Sequence, residues 1–224
     1  TSNIETVTFL DIQFNGISDL TGIEDFAALE ILQCSYNLIT SLDLSQNTAL
    51  SYLECISNQL TSLNINQNTA LTTLDCQDNL LASLDVSQNV LLNSLNCSSN
   101  NLTSLNISQN TALSGLYCNL NQLTSLDLSQ NSDLKFFNCY DNQLTSLDVT
   151  QNTMLTNLNC YNNQLSSLDL SQNLDLIFLY CYNNDLSNIV ISSNTVLCQL
   201  SCQDNQLASL DLTQNTQIAV LIAE

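Results

Sequence analysis

A cysteine recurs every 21 residues through most of the chain, at Cys34, Cys55, Cys76, Cys97, Cys118, Cys139, Cys160, Cys181 and Cys202. Of the ten cysteines only Cys198 stands outside this register. Leu53, Leu74, Leu95, Leu116, Leu158, Leu179 and Leu200 each precede a cysteine by two residues, with Phe137 filling the remaining slot. Asn58, Asn79, Asn100, Asn121, Asn142, Asn163, Asn184 and Asn205 each follow one by three. A fixed period of this length means stacked structural units that bury one another's apolar faces, not a compact domain with long-range chain crossings. The chain is therefore expected to be a solenoid.

One unit reads ITSLDLSQNTALSYLECISNQ, from Ile39 to Gln59, and holds two nested halves. The first is L-x-x-L-x-C-x-x-N-x-L, as in Leu155 to Leu165; the second is L-x-x-L-D-L-S-Q-N, as in Leu123 to Asn131. Both alternate apolar and polar residues, the period-two pattern of a strand. This predicts two short parallel strands per 21-residue coil and little helix, with coils about 4.7–4.9 Å apart. The asparagine after each cysteine is expected to turn inward and bond backbone groups that a leucine would leave unpaired. There is no proline and there are only three glycines, so Asn, Asp and Ser must build the turns.

The ends differ from the middle. Ile12 stands where Cys34 would, Asn15 where Asn37 would, and Gly22 to Leu29 has the spacing of one helical turn. Residues 1–33 are read as an N-terminal cap plus first coil, residues 34–217 as regular repeats, and residues 218–224 as a last strand with Ala223 in the cysteine slot. An apolar terminal strand is an open edge. It is expected to be continued by further chain, covered by another chain, or used in end-to-end self-association.

The charge balance restricts partners. Lys135 is the one basic residue against 21 acidic ones, giving a net charge of −20. Nothing here neutralises phosphates, so nucleic acid and anionic membranes are excluded as partners. No run approaches the roughly 18–20 apolar residues of a membrane span, and no signal peptide opens the chain.

The consensus LxxLxCxxNxLxxLDLSQN resembles the 21-residue bacterial leucine-rich repeats of Bacteroidetes surface and secreted proteins, distant relatives of the internalins. The resemblance covers about residues 10–223. It implies a leucine-rich-repeat solenoid, secreted or held at the cell surface, that contacts proteins or glycans through variable outward residues. It carries no catalytic site and no cofactor.

The cysteines read best as a row of reduced core thiols, because one per coil gives a line and not the four convergent ligands of zinc. Disulfides within the row, or a metal, carry less weight. Cys198 shares its column with Ser51, Thr72, Asn93, Ser114, Lys135, Thr156 and Ile177 and is expected to be partly exposed, open to an intermolecular disulfide. Asp43, Asp85, Asp127, Asp148, Asp169 and Asp211 recur in the LDL half. They read as a solvated face bonding neighbouring Ser and Asn. A calcium site is the lesser reading, since calcium takes about six to eight convergent oxygens.

With no histidine and no cleft signature, no catalytic residues are proposed. The informative columns flank the cysteines. Tyr117 and Tyr180 lie just before, Tyr140, Tyr161 and Tyr182 just after, and Phe136 and Phe178 three before. Five of the seven tyrosines thus collect on one face, with Tyr140, Tyr161 and Tyr182 as an expected stack. Such a patch suits a protein- or sugar-binding surface, and equally a cross-strand ladder that stabilises the sheet. Alternatives are an ice- or mineral-binding array, which the outward Ser125 and Asp127 pattern disfavours, and a purely structural spacer.

Overall fold

The computed structural model describes residues 4–223. Eleven three-residue strands occur in chain order: β1 (Phe9–Asp11), β2 (Ile31–Gln33), β3 (Tyr52–Glu54), β4 (Thr73–Asp75), β5 (Ser94–Asn96), β6 (Gly115–Tyr117), β7 (Phe136–Asn138), β8 (Asn157–Asn159), β9 (Phe178–Tyr180), β10 (Gln199–Ser201) and β11 (Val220–Ile222). They form one parallel sheet in sequence order, each strand bonded only to its predecessor and successor. The fold is a leucine-rich-repeat solenoid of about ten coils with almost no helix. The expected helical turn near Gly22 is a 3-10 helix, Ile23–Asp25.

The middle residue of each strand points inward, and the repeat places Leu or Phe there. Leu32, Leu53, Leu74, Leu95, Leu116, Phe137, Leu158, Leu179 and Leu200 are all fully buried. The register pairs Leu116 with Phe137 and Phe137 with Leu158, so the phenylalanine occupies a leucine rung without displacing the ladder. The nine in-register cysteines follow as the next inward column, at most 1% exposed.

The second strand per coil does not form as a ladder. Its residues make only two isolated parallel bridges, Asp43 with Asn64 and Asp169 with Val190. The alternation is real, since Leu170 is buried between exposed Asp169 and Ser171, but the amides are used otherwise. The Ser45 amide donates to Asp43 Oδ1 (3.0 Å), and Asn47 N and Leu50 N close turns onto Leu44 O and Asn47 O. Side-chain-bonded turns consume the donors that a strand would offer the next coil.

Two asparagine ladders hold the loops. In the first, Asn121 Nδ2 donates to Cys97 O (3.0 Å) and Cys118 O (3.1 Å), while its Oδ1 accepts the Leu102 amide (2.9 Å). The same pattern recurs from Asn37 to Asn205. The second ladder, Asn47 through Asn215, was not anticipated. Asn131 is typical: its Nδ2 donates to Ile107 O (3.2 Å) and Asn110 O (2.9 Å) in the coil behind.

Two residues after each cysteine slot the backbone enters the left-handed region, from Phe14 (φ 58°) to Asp204 (φ 55°). Asp, Asn and Ser suit that conformation; Leu120 (φ 56°) does not, and its side chain is 44% exposed. Left-handed backbone costs an ordinary L-residue about 1–2 kcal/mol, and Asn less. Leu120→Asn is therefore expected to stabilise the chain by about 0.5–1 kcal/mol. The measurement is the urea midpoint at unchanged slope; a lower midpoint would refute the strain assignment.

Candidate aromatic face

The first and third residues of each strand, and the residue after the cysteine, form three parallel columns on the outer side of the sheet, with Ser35, Ser98, Gly115, Asn119 and Ser201 buried among them. The sequence-predicted residues all fall on these columns in β6 to β9 and the turns that follow them. Tyr140, Tyr161 and Tyr182 occupy successive coils at the same position and stack. Their centroids are 4.4 and 4.2 Å apart and their planes tilt by 13° and 9°. The 21-residue register causes this: identical positions one coil apart lie near the ordinary strand spacing, and flat rings close the remainder.

The other four residues are on the same sheet but not in the stack. Phe136 and Phe178 are separated on their column by Asn157. Tyr117 and Tyr180 are separated on theirs by Asn138 and Asn159. Phe136 is the most open of the seven, at 44% exposure. Tyr117 folds back over Gly115, where an added Cβ would stand 3.3 Å from its Cε2. Any larger residue at 115 would press on that ring.

A polar row runs beside the stack in the left-handed column. Asn183 Nδ2 donates to Asn162 Oδ1 (2.7 Å), and Asn162 Nδ2 donates to Asp141 Oδ1 (2.6 Å). Burial holds the Tyr161 phenol well above its ordinary pKa, helped by its hydrogen bond to Tyr182 and by Tyr140 and Asp141 nearby. Tyr161 therefore stays neutral across the physiological range. Two buried side-chain oxygens on this face, Asn159 Oδ1 and Gln203 Oε1, accept no hydrogen bond.

Sequence reasoning missed two features of the same sheet. Glu54, at the outward end of β3, accepts bonds from Tyr52 Oη (2.9 Å), Gln33 Nε2 (3.2 Å) and Ser35 Oγ (2.9 Å). Asp75 lies one rung on, its pKa raised by burial despite bonds from the Gln77 amide and Asn96. Both acids belong to the column that holds Tyr117, which was the available signal. Phe14 and Tyr36 form a further stack, with centroids 4.4 Å apart. Their spacing is 22 and not 21, so the period that exposed the other ladder passes over them.

The remaining candidate groups resolve into scaffold. Asp43, Asp85, Asp127, Asp148, Asp169 and Asp211 each accept the backbone amide two residues on. Those bonds, joined by the hydroxyl of the same Ser or Thr, lower their pKa values, and at Asp148 the Thr150 hydroxyl is the larger cause. Among the described residues no three His, Cys, Asp or Glu side chains converge to hold a metal ion. All ten cysteines are free thiols. Burial raises the nine in register, reaching about 12 for Cys34, Cys97 and Cys160. Cys198 is half-buried beside Ile177 and Val196. No helix among the described residues is long and apolar enough to cross a membrane.

No family model matches the chain. Internalin J of Listeria monocytogenes serotype 4b (strain F2365) is 53% identical over 45 residues, which is 20% of this chain and 5% of that protein. The functional domain of InlJ from Listeria monocytogenes, described as including a cysteine ladder, has a TM-score of 0.95 and 43% identity. That match takes in 99% of this chain and 54% of the solved one. A leucine-rich-repeat protein of Leptospira interrogans has a TM-score of 0.84 and 28% identity over 90% of this chain and 56% of its own. The chain thus spans about half of each solved relative and a small fraction of the curated one. The chain is a leucine-rich-repeat solenoid, similar over nearly its whole length to the functional domain of InlJ.

Proposed function

We propose that the chain is a non-enzymatic recognition or adhesion module, secreted or displayed at a bacterial surface, that binds a surface protein or glycan through its aromatic face. Its repeat is of the type found in Bacteroidetes exported proteins. The observation that carries the reading is the stack of Tyr140, Tyr161 and Tyr182, flanked by Tyr117, Phe136, Phe178 and Tyr180 on one sheet. Elsewhere the same columns hold mainly small or polar residues, as at Ser94, Asn96 and Ser98. A solenoid frame needs aromatics at none of these outward positions. Large, rigid rings with polar tips provide contact area at little entropic cost, and such residues dominate binding hot spots.

A surface-protein and glycan array, probed with the purified chain with and without calcium, identifies the binder class. Tyr161→Ala is expected to weaken the captured interaction by about tenfold or more while circular dichroism stays that of the parent. Unchanged binding in a folded Tyr161→Ala chain would remove the aromatic face as the site.

A further inference from the structure

Resting on that reading of the aromatic face, we propose that its occupant is a cationic protein segment, rich in arginine, and not a carbohydrate. The first argument is geometric. Sugar rings dock on open aromatic faces, but the rings of the stack cover one another at 4.2–4.4 Å. What Tyr161 presents outward is its edge and hydroxyl, an oxygen that accepts as well as donates.

The second argument is the hydrogen-bond inventory. The outward hydroxyl oxygens of the tyrosine stack and the half-buried Asp141 carboxylate are acceptors that an occupant can reach. An occupant bringing N–H groups can pair with them, whereas one bringing only further acceptors cannot pair with the carboxylate. The Asp141 carboxylate stands at the foot of the tyrosine stack, holding the polar row through Asn162.

The third argument is charge. The outward columns of this sheet carry Glu54 and Asp75 towards the N-terminus, and the whole chain has one lysine and no arginine or histidine. The face therefore offers acceptors, negative charge and aromatic area, with Lys135, beside Phe136, as the one cationic side chain of the chain. Guanidinium matches the acceptors and the charge with five N–H donors in a planar fork, and the open Phe136 ring, outside the stack, gives it a face to pack on. An acidic polysaccharide is repelled, and a neutral one leaves the field unused. Long-range attraction between a chain of charge −20 and a cationic segment should also speed encounter in a salt-dependent way.

The test uses the full 224-residue chain and a fluorescent peptide of alternating arginine and serine. Its glutamate–serine counterpart, chitohexaose and hyaluronan oligomers serve as the other probes. Diffuse attraction is separated from the face by a charge variant on the turn side, Asp85→Asn with Asp127→Asn and Asp169→Asn. Asparagine keeps those turns, as Asn64 and Asn106 already do.

The arginine peptide is expected to bind about tenfold more weakly to Tyr161→Ala and to Phe136→Ala, and within about twofold of the parent to the triple variant. Its association rate should fall about tenfold or more between about 50 and about 300 mM NaCl. Equal loss in the triple variant, with none in the face variants, overturns the proposal in favour of unspecific charge. An oligosaccharide that binds in a Tyr161-dependent way, with the peptide silent, overturns the cationic occupant and leaves the aromatic face standing. Probe binding indifferent to both face variants defeats the two readings together.

Discussion

Raising the pH from about 8 to about 10.5 is expected to unfold the solenoid cooperatively, with a steepness no single thiol can produce. Nine cysteines, Cys34, Cys55, Cys76, Cys97, Cys118, Cys139, Cys160, Cys181 and Cys202, have folded-state pKa values raised above the ordinary 9.0. Burial is the leading cause in every one. Below the unfolded value both states keep their protons, and the stabilisation is complete. Between about 9 and the raised folded-state values, about 12 for Cys34, Cys97 and Cys160, the unfolded chain ionises and the folded one does not, so stability falls as pH rises, by about 1.4 kcal/mol per pH unit for each thiolate formed on unfolding. Several thiols acting in one window exhaust a typical stability of about 5–15 kcal/mol within one to two pH units. Tyr52 and Tyr161, also raised, add in the same direction at higher pH. The measurement is unfolding free energy against pH by urea titration. Replacing Cys97, Cys118 and Cys139 by alanine should lower stability at pH 7 yet flatten the alkaline slope. A parent curve that stays level to about pH 11 would refute the burial assignment.

Asn121→Ala is expected to cost about 3–5 kcal/mol, because the change strips partners from several buried backbone groups at once. The Leu102 amide loses its acceptor, and Cys97 O and Cys118 O lose a donor. Gln122, the next residue, is exposed. Gln122→Ala should stay within about 0.5 kcal/mol of the parent. The pair of denaturation midpoints separates ladder from surface; a loss below about 1 kcal/mol at Asn121 would show that the loops satisfy themselves without it.

Much of what repeats at 21 was legible in the sequence. The leucine and cysteine columns, the first asparagine ladder and the tyrosine stack all follow from superposing identical positions. Phe137 could be placed because its neighbours above and below are leucines. The second strand was misread because L-D-L alternates like a strand whether its amides face the next coil or a side chain. Pattern records which way a residue points, not where its N–H goes. The Asn47 ladder was overlooked despite the same period, because an asparagine ending S-Q-N reads as a turn residue. Its burial is evident only once Asn68 and Asn89 are seen reaching back to Asn47 O and Asn68 O. At the candidate site the columns were legible, but not the Glu54 network, which joins Tyr52, Gln33 and Ser35 from different slots of the repeat.

Because every strand bonds only to the coils before and after it, the molecule has a particular mechanical character. A pull along its length loads the rungs in series, and coils peel from an end, where each has only one neighbour to leave. Each coil that opens frees 21 residues, about 70 Å of extended chain at roughly 3.4 Å per residue, while the coils behind it keep their packing. A tether built this way yields to force by lengthening in steps, and it winds back one turn at a time when the load is removed.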